Sequence, residues 1–140
     1  MKIGVAAAFI VIALNITALC ADKIDPRLAT VRHAFVKPFD SLTDDQPVAV
    51  CVADRLVRVT PIEAVKTLEE ADVVLIVSKA SIGMHPKANL TAELSDGTKL
   101  WYGGSRVRGF NLVERDMTCV LAEDLLGNLR DAMKKARANK

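Results

Sequence analysis

DVVLIVSKASI, residues 72–82, is the stretch that decides the fold. It is rich in β-branched residues and almost continuously apolar, and glycine and proline follow it at Gly83 and Pro86. A strand with one face in water alternates apolar with polar residues, whereas a strand covered on both faces does not. We therefore expect residues 72–82 to form a central strand of a sheet, ended by the glycine and the proline.

The next segment, NLTAELSDGTKLWYGG at 89–104, predicts a β-hairpin, because an Asp-Gly pair separates two alternating runs. We expect residues 95–97 to form a three-residue loop with Gly97 in the left-handed conformation. The pairs that then face each other are Leu94 with Thr98, Glu93 with Lys99, and Ala92 with Leu100. A two-residue loop would mix charged residues into the apolar face, so the three-residue loop is favoured.

The hairpin holds the only tryptophan and the only tyrosine of the chain, Trp101 and Tyr102. Continued alternation places Tyr102 on the helix-covered face and Trp101 on the opposite face, beside Thr91. There the tryptophan either packs across the strands or forms an interface, a role in which tryptophan is enriched. Our candidate binding residues are therefore Trp101, Thr91 and Arg106.

Upstream of the central strand, VRHAFVKPF at 31–39 predicts a first strand that Pro38 ends. A helix is expected at about 46–58, with Asp44 or Asp45 as its cap. Its apolar stripe consists of Val48, Val52, Leu56 and Val59. The first half of the chain should therefore begin with a strand and a helix.

Two further helices are expected. Thr60, Pro61 and Glu63 form a capping box, which predicts a short helix ending near Glu70. A longer helix should begin after Asp116, its expected cap. Apolar residues recur in it at helical spacing: Met117, Val120, Leu121, Leu125, Leu129, Ala132 and Ala136. The whole order of elements predicts an α/β two-layer sandwich, with a mixed sheet of about four strands and the helices on one face.

The amino terminus, residues 1–21, has the pattern of a secretory signal peptide: a basic residue, an apolar run and small residues at the end. Polar residues interrupt the apolar run before it reaches the length of a membrane span, so the mature chain should contain no such span. We expect the leader to be removed, with a polar lead-in over 22–30 and a single domain over 31–138. The protein should then be periplasmic or secreted.

The cysteines leave alternatives open. Bacterial lipoproteins are lipidated on a cysteine at the place of Cys20, but Leu19 departs from the small residue that precedes such a cysteine. An outer-membrane-anchored lipoprotein is therefore the alternative to a free protein. Cys51 and Cys119 either form a disulfide, which an oxidising compartment permits, or are two buried thiols.

Residues with catalytic or metal-binding chemistry do not cluster in the sequence. His33 and His85 lack the spacing of a zinc site, and Ser105 lacks a nucleophile elbow. The acidic pairs at 44–45 and 69–70 are most simply helix-end and solvated charges rather than an acid/base dyad. We expect no catalytic residue, no metal and no cofactor, and a small periplasmic enzyme of unfamiliar spacing is the alternative.

The charge balance argues against a nucleic-acid partner. The 140 residues include 19 basic and 17 acidic ones, which is too even for a strong electrostatic footprint on nucleic acid. The basic tail KKARANK at 134–140 suits the negative end of a helix dipole. The sequence alone leaves the oligomeric state open.

Four segments together, HAFVKPF, EEADVVLIVSKASI, LTAELSDGTKLWYG and LAEDLLGNLRDAMKKA, resemble a broad group of exported bacterial envelope proteins. That group includes the curli-secretion lipoprotein type of domain and the amino-terminal domain of TolB. The resemblance spans about 31–138, rests on structural motifs and carries over no catalytic residue. It implies a non-catalytic binding or assembly module of the cell envelope with a protein partner.

Overall fold

The computed structural model describes residues 24–83, 85–106 and 117–139. The expected signal peptide with Cys20, and the expected helix cap Asp116, lie outside these described residues. Within them, no helix has the length and apolar character needed to span a lipid bilayer.

Five strands form one mixed sheet with two helices on one of its faces. The strands are β1 (His33–Pro38), β2 (Glu63–Ala64), β3 (Val73–Ser81), β4 (Lys87–Glu93) and β5 (Lys99–Arg106), and the helices are α1 (Asp45–Val59) and α2 (Met117–Ala138). The strand order is β2-β1-β3-β4-β5, in which β1 is parallel to β2 and β3 while β4 is antiparallel to β3 and β5. The predicted two-layer sandwich is confirmed, with five strands instead of about four.

Strand β3 lies in the middle of the sheet, as its apolar composition predicted. Val73, Leu75 and Val77 are buried under the helices, and Val74 on the other face is also buried. The helices supply the other half of the core through their apolar stripes. The buried apolar residues of α1 are Val48, Ala49, Cys51, Val52 and Leu56, and those of α2 are Leu121, Ala122, Leu125, Leu126, Leu129, Ala132, Met133 and Ala136.

A covalent bond joins the two helices. Cys51 of α1 and Cys119 of α2 form a disulfide between residues 68 positions apart, with their Cα atoms 5.1 Å apart. Nearby, Nε of Arg55 donates a hydrogen bond to Oε1 of Glu123 at 2.9 Å. Of the two alternatives for these cysteines, the structure shows the disulfide.

The turn of the hairpin between β4 and β5 has the predicted conformation. The N–H of Leu94 donates to the carbonyl of Thr98 at 2.8 Å, and Glu93 faces Lys99. Gly97 has a φ of 89°, which glycine adopts without the steric cost that other residues bear. The three-residue loop is therefore confirmed.

A β-bulge at Leu100 makes the register wrong beyond the turn. Ala92 faces Trp101 instead of Leu100, so one extra residue moves every later side chain of β5 to the other face. The carbonyl of Leu100 accepts a hydrogen bond from the N–H of Asp25 at 2.9 Å, which pairs the bulged residue at the sheet edge. Trp101 is consequently in the core and Tyr102 is exposed, the reverse of the prediction.

The segment expected to be a polar lead-in packs against the domain in its described part. It contains a 3-10 helix, Pro26–Thr30. The N–H of Arg27, at the beginning of this helix, donates a hydrogen bond to the Asp25 carboxylate at 2.9 Å. Leu28 and Ala29 are buried in the core, and the 3-10 helix contacts α2 and β5. This segment therefore supports the sheet edge at the bulge.

The capping box ends one helix and does not begin another. Oγ1 of Thr60 donates to the carbonyl of Leu56 at 2.9 Å and accepts the N–H of Ile62 at 3.1 Å. Such local bonds of threonine compete with helix formation. Strand β2 follows and pairs with β1, so the predicted short helix to Glu70 is wrong.

The acidic pair at the beginning of α1, Asp44 and Asp45, ties that helix to the sheet. Asp45 is 3% exposed, and its carboxylate accepts the N–H groups of Asp40 at 3.2 Å and Ala80 at 2.8 Å. Asp44 accepts the N–H of Ile82 at 3.0 Å and makes no capping bond to α1. The two charges lie at the helix end as expected, but they are not simply solvated, because both carboxylates hold the end of β3.

Candidate functional site

We call the face of the sheet away from α1 and α2 the open face. None of the elements in the described residues lies over it. Alternate positions of four strands supply its side chains. They include Phe35 and Lys37 in β1, Val74, Ile76 and Ser78 in β3, Lys87, Asn89, Thr91 and Glu93 in β4, and Lys99, Tyr102, Gly104 and Arg106 in β5.

A row of paired residues crosses the middle of the open face. In order across the strands it consists of Lys37, Ile76, Thr91 and Tyr102. Side chains paired in this way contact one another, and Thr91 is accordingly only 8% exposed. Tyr102 at the end of the row is 57% exposed, so most of its ring is available to another molecule.

Two shallow depressions on this face share Tyr102 and Lys79 in their linings. The basic depression encloses about 480 Å³ and is lined by Lys79, Lys87, Asn89, Tyr102, Gly104, Ser105 and Arg106. The mixed depression encloses about 500 Å³ and is lined by Lys37, Pro38, Phe39, Ile76, Ser78, Lys79, Thr91, Glu93, Lys99 and Tyr102. The exposed tyrosine therefore borders both.

The linings of the two depressions carry five cations. They are Lys37, Lys79, Lys87, Lys99 and Arg106. None of these forms an ion pair with another residue that the structure describes. Lys87 and Arg106 lie directly opposite each other in β4 and β5, where like charges repel. Glu93 is the one carboxylate among the lining residues of the two depressions.

Lys79 owes its position to an unusual backbone conformation. Its φ of 53° is the only positive value among the described non-glycine residues. The register between β3 and β4 shifts around it, between Ser78 and Ser81. The next residue, Ala80, donates its N–H to the buried carboxylate of Asp45. A contact from α1 thus fixes the backbone beside Lys79.

The three predicted binding residues do not lie together. Thr91 and Arg106 are on the open face, but Trp101 is 8% exposed and belongs to the core. Its indole lies over Gly103, where an added Cβ would be 2.6 Å from Cη2 of Trp101. The prediction that Trp101 projects beside Thr91 is wrong, and Tyr102 occupies that place.

Sequence reasoning missed Lys79, Lys87 and Tyr102. A signal for Lys87 exists in KANLTAE, residues 87–93, where small and apolar residues alternate with polar ones and so assign the faces. Tyr102 was missed because alternation was continued through the bulge. For Lys79 the sequence carries no such signal, since its position follows from a register shift inside an apolar strand.

The described residues form no recognisable catalytic or metal-binding constellation. In this part of the chain no three His, Cys, Asp or Glu side chains are placed to hold a metal ion. Ser105 donates its hydroxyl to the Asp124 carboxylate of α2, not to a histidine. His33 instead has Nδ1 3.5 Å from Oδ2 of Asp72.

Asp72 fastens the beginning of β1 to β3. Its carboxylate accepts the N–H of Arg32 at 2.9 Å and the N–H of His33 at 3.0 Å. The hydrogen bond from Arg32, followed by that from His33, holds the pKa of Asp72 below its usual range, because both favour the ionised carboxylate. This acidic group acts on the backbone of the sheet.

No protein-family model and no curated protein matches the chain. Among solved structures, it is similar to the PelC dodecamer of Paraburkholderia phytofirmans at 18% identity and a TM-score of 0.43, over 79% of this chain and 90% of that one. A variant of that protein gives 16% identity and 0.42, over 81% and 89%. An uncharacterized lipoprotein B of Nitrosomonas europaea gives 8% identity and 0.47, over 78% and 88%. Similarities of this strength transfer no function.

Proposed function

We propose that the chain is a non-catalytic binding module of the bacterial cell envelope and that the open face is its binding surface. The observation that carries the proposal is Tyr102, an aromatic ring that is 57% exposed and borders two depressions. The cations around it form no ion pair with another residue of the described ranges. Tyrosine and arginine are enriched among the residues that dominate protein interfaces. A sheet face used only for packing would bury such a ring.

The envelope setting has two supports. Residues 1–21 have the pattern of a secretory leader, and the disulfide between Cys51 and Cys119 suits an oxidising compartment such as the periplasm. We place the mature chain in the periplasm or outside the cell, with lipid attachment through Cys20 as the alternative. Mass spectrometry of the exported protein separates the two, since only the anchored form carries acyl chains on Cys20.

The partner that we expect is a protein of the envelope. The test is capture from envelope extracts by the immobilised protein, purified after export. Tyr102→Ala should retain the captured partner at least about tenfold more weakly than the wild type, because loss of a central aromatic anchor has that effect or more. Val57→Ala is the matched control, since Val57 is an apolar residue of α1 that is 61% exposed.

Two outcomes contradict the proposed function. One is that no envelope protein is retained by the wild type. The other is that Tyr102→Ala and Val57→Ala retain the partner equally well, which would mean that the open face takes no part in binding.

A further inference from the structure

The charges of the open face indicate what kind of segment it binds, an inference that rests on the proposed function. We propose that the open face binds an extended acidic segment of a protein partner. Carboxylates of that segment lie in the basic depression, against Lys87 and Arg106. An apolar side chain of the same segment lies in the mixed depression, beside Tyr102.

The basic depression is suited to carboxylates. Its lining includes Lys79, Lys87 and Arg106 and no acidic residue. Because Lys87 and Arg106 are direct cross-strand partners, their charges repel in the unliganded protein. An anion between them removes that repulsion, and the guanidinium of Arg106 can bind one carboxylate through two hydrogen bonds.

Lys79 provides an independent observation. A left-handed backbone is unfavourable for a residue with a Cβ, and glycine would adopt it freely. Residues in such conformations cluster at functional sites. The lysine at this position brings a cation to the boundary of both depressions, which no glycine could do.

The mixed depression supplies the apolar part of the site. Pro38, Phe39 and Ile76 line it together with Tyr102. Phe39 is 78% exposed, so a large apolar surface is accessible in the same depression as the tyrosine ring. Burial of that surface by an apolar side chain is favourable, and it anchors the segment beyond its acidic part.

The apolar part of the mixed depression argues for a protein segment over a uniform polyanion. Glu93 lines the mixed depression, opposite Lys99 in the sheet. Three lysines, Lys37, Lys79 and Lys99, also line this depression, so the single carboxylate does not exclude a polyanion. A polyuronate, however, has no apolar side chain to cover the exposed Phe39 and its apolar neighbours. A protein segment can carry carboxylates at one end and neutral or apolar residues at the other, which matches both depressions.

The test uses a fluorescently labelled peptide in which a run of glutamates precedes a phenylalanine. Its binding to the exported wild-type protein should weaken as salt is added, because the contact is largely electrostatic. The paired substitution Lys87→Glu with Arg106→Glu should weaken binding by about tenfold or more. Lys134→Glu with Arg137→Glu is the matched control, because it makes the same charge change at exposed positions of α2 and should leave binding unchanged.

A peptide with glutamines in place of the glutamates should bind at least about tenfold more weakly. The inference is overturned if the glutamate peptide does not bind, or if both charge-reversed pairs weaken it equally. It is also overturned if polyuronate or anionic vesicles bind while the peptide does not. If Tyr102→Ala reduces partner capture from extracts but the Lys87 and Arg106 pair does not, this inference fails and the proposed function stands.

Discussion

Trp101 and Tyr102 are neighbours in the chain, yet they lie on opposite faces of β5 and have different surroundings. Trp101 fills the space above Gly103 and belongs to the core, whereas Tyr102 is exposed beside the cations that line the basic depression. One β-bulge at Leu100 decides which aromatic ring stabilises the fold and which is free to bind. The comparison teaches that the register of a strand, more than the identity of its residues, separates scaffold from surface.

The largest expected difference is between alanine substitutions of the two aromatics. Trp101→Ala removes a buried indole and should lower the free energy of unfolding by about 3–5 kcal/mol. Tyr102→Ala removes an exposed ring and should lower it by about 0.5 kcal/mol or less. Urea denaturation followed by circular dichroism measures both. Equal losses would mean that the two faces of β5 do not differ in this way.

Removal of the disulfide tests whether the protein can lose stability on the helix-covered face of the sheet without losing binding at the open face. Replacing both Cys51 and Cys119 by alanine releases a loop of 68 residues and should cost about 2–4 kcal/mol of unfolding free energy. Partner capture at a temperature where the variant remains folded should be unchanged, because the bond joins the helices on the other side of the sheet. Weaker capture by the folded variant would show that the faces are coupled.

The two glycines of β5 allow a finer comparison. In Gly103→Ala the new Cβ meets the ring of buried Trp101, so we expect a loss of about 1–3 kcal/mol. In Gly104→Ala the one close contact is with Oδ1 of Asn89, at 2.8 Å, the far end of a flexible side chain, and the loss should be smaller. Denaturation of both variants measures this.

A double-mutant cycle adds the decisive control for Gly103. If the penalty of Gly103→Ala comes from the indole, it should largely disappear in the Trp101→Ala background. A penalty of the same size in both backgrounds would place its origin in the strand backbone.

The smallest expected difference concerns Asp72, which precedes β3 and binds the backbone at the beginning of β1. Its folded pKa lies below the usual value of 3.8, so its contribution to stability is present above about pH 4 and is lost as the pH falls through the folded pKa. Asp72→Asn should cost less than about 1 kcal/mol, because the carboxylate is nearly half exposed. Denaturation at several pH values should show this difference near neutrality and its disappearance in acid. A constant difference would contradict the assignment.

Much of the fold could be predicted because its elements have strong periodic signals. The apolar run of β3, the stripe of α2 and the Asp-Gly turn each rest on local chemistry, and the structure confirms all three. The short strand β2 and the 3-10 helix have no such signal. Strand β2 forms because it pairs with β1. The 3-10 helix is held in place by the hydrogen bond from the preceding Asp25 to Leu100 at the edge of β5.

The candidate site could be predicted only in part, because face assignment requires an unbroken register. The bulge at Leu100 depends on a distant partner, the N–H of Asp25, and on the room that Gly103 leaves for an indole. The glycine two residues after Trp101 is the one local clue, since a same-face position without a side chain can be covered by a large aromatic. Thr91, which lies in β4 and not in the bulged strand, was placed on the correct face, whereas alternation continued from Tyr102 would have put Arg106 on the helix-covered face.

The placement of the single tryptophan and the single tyrosine gives each face its own optical label. Light absorbed by the phenol of Tyr102 can pass to the adjacent indole of Trp101, whereas longer wavelengths excite the indole alone. A ligand over Tyr102 should therefore change the emission only under the shorter excitation, while unfolding changes it under both. One titration of the unlabelled protein can thus report occupancy of the open face and integrity of the core as separate signals.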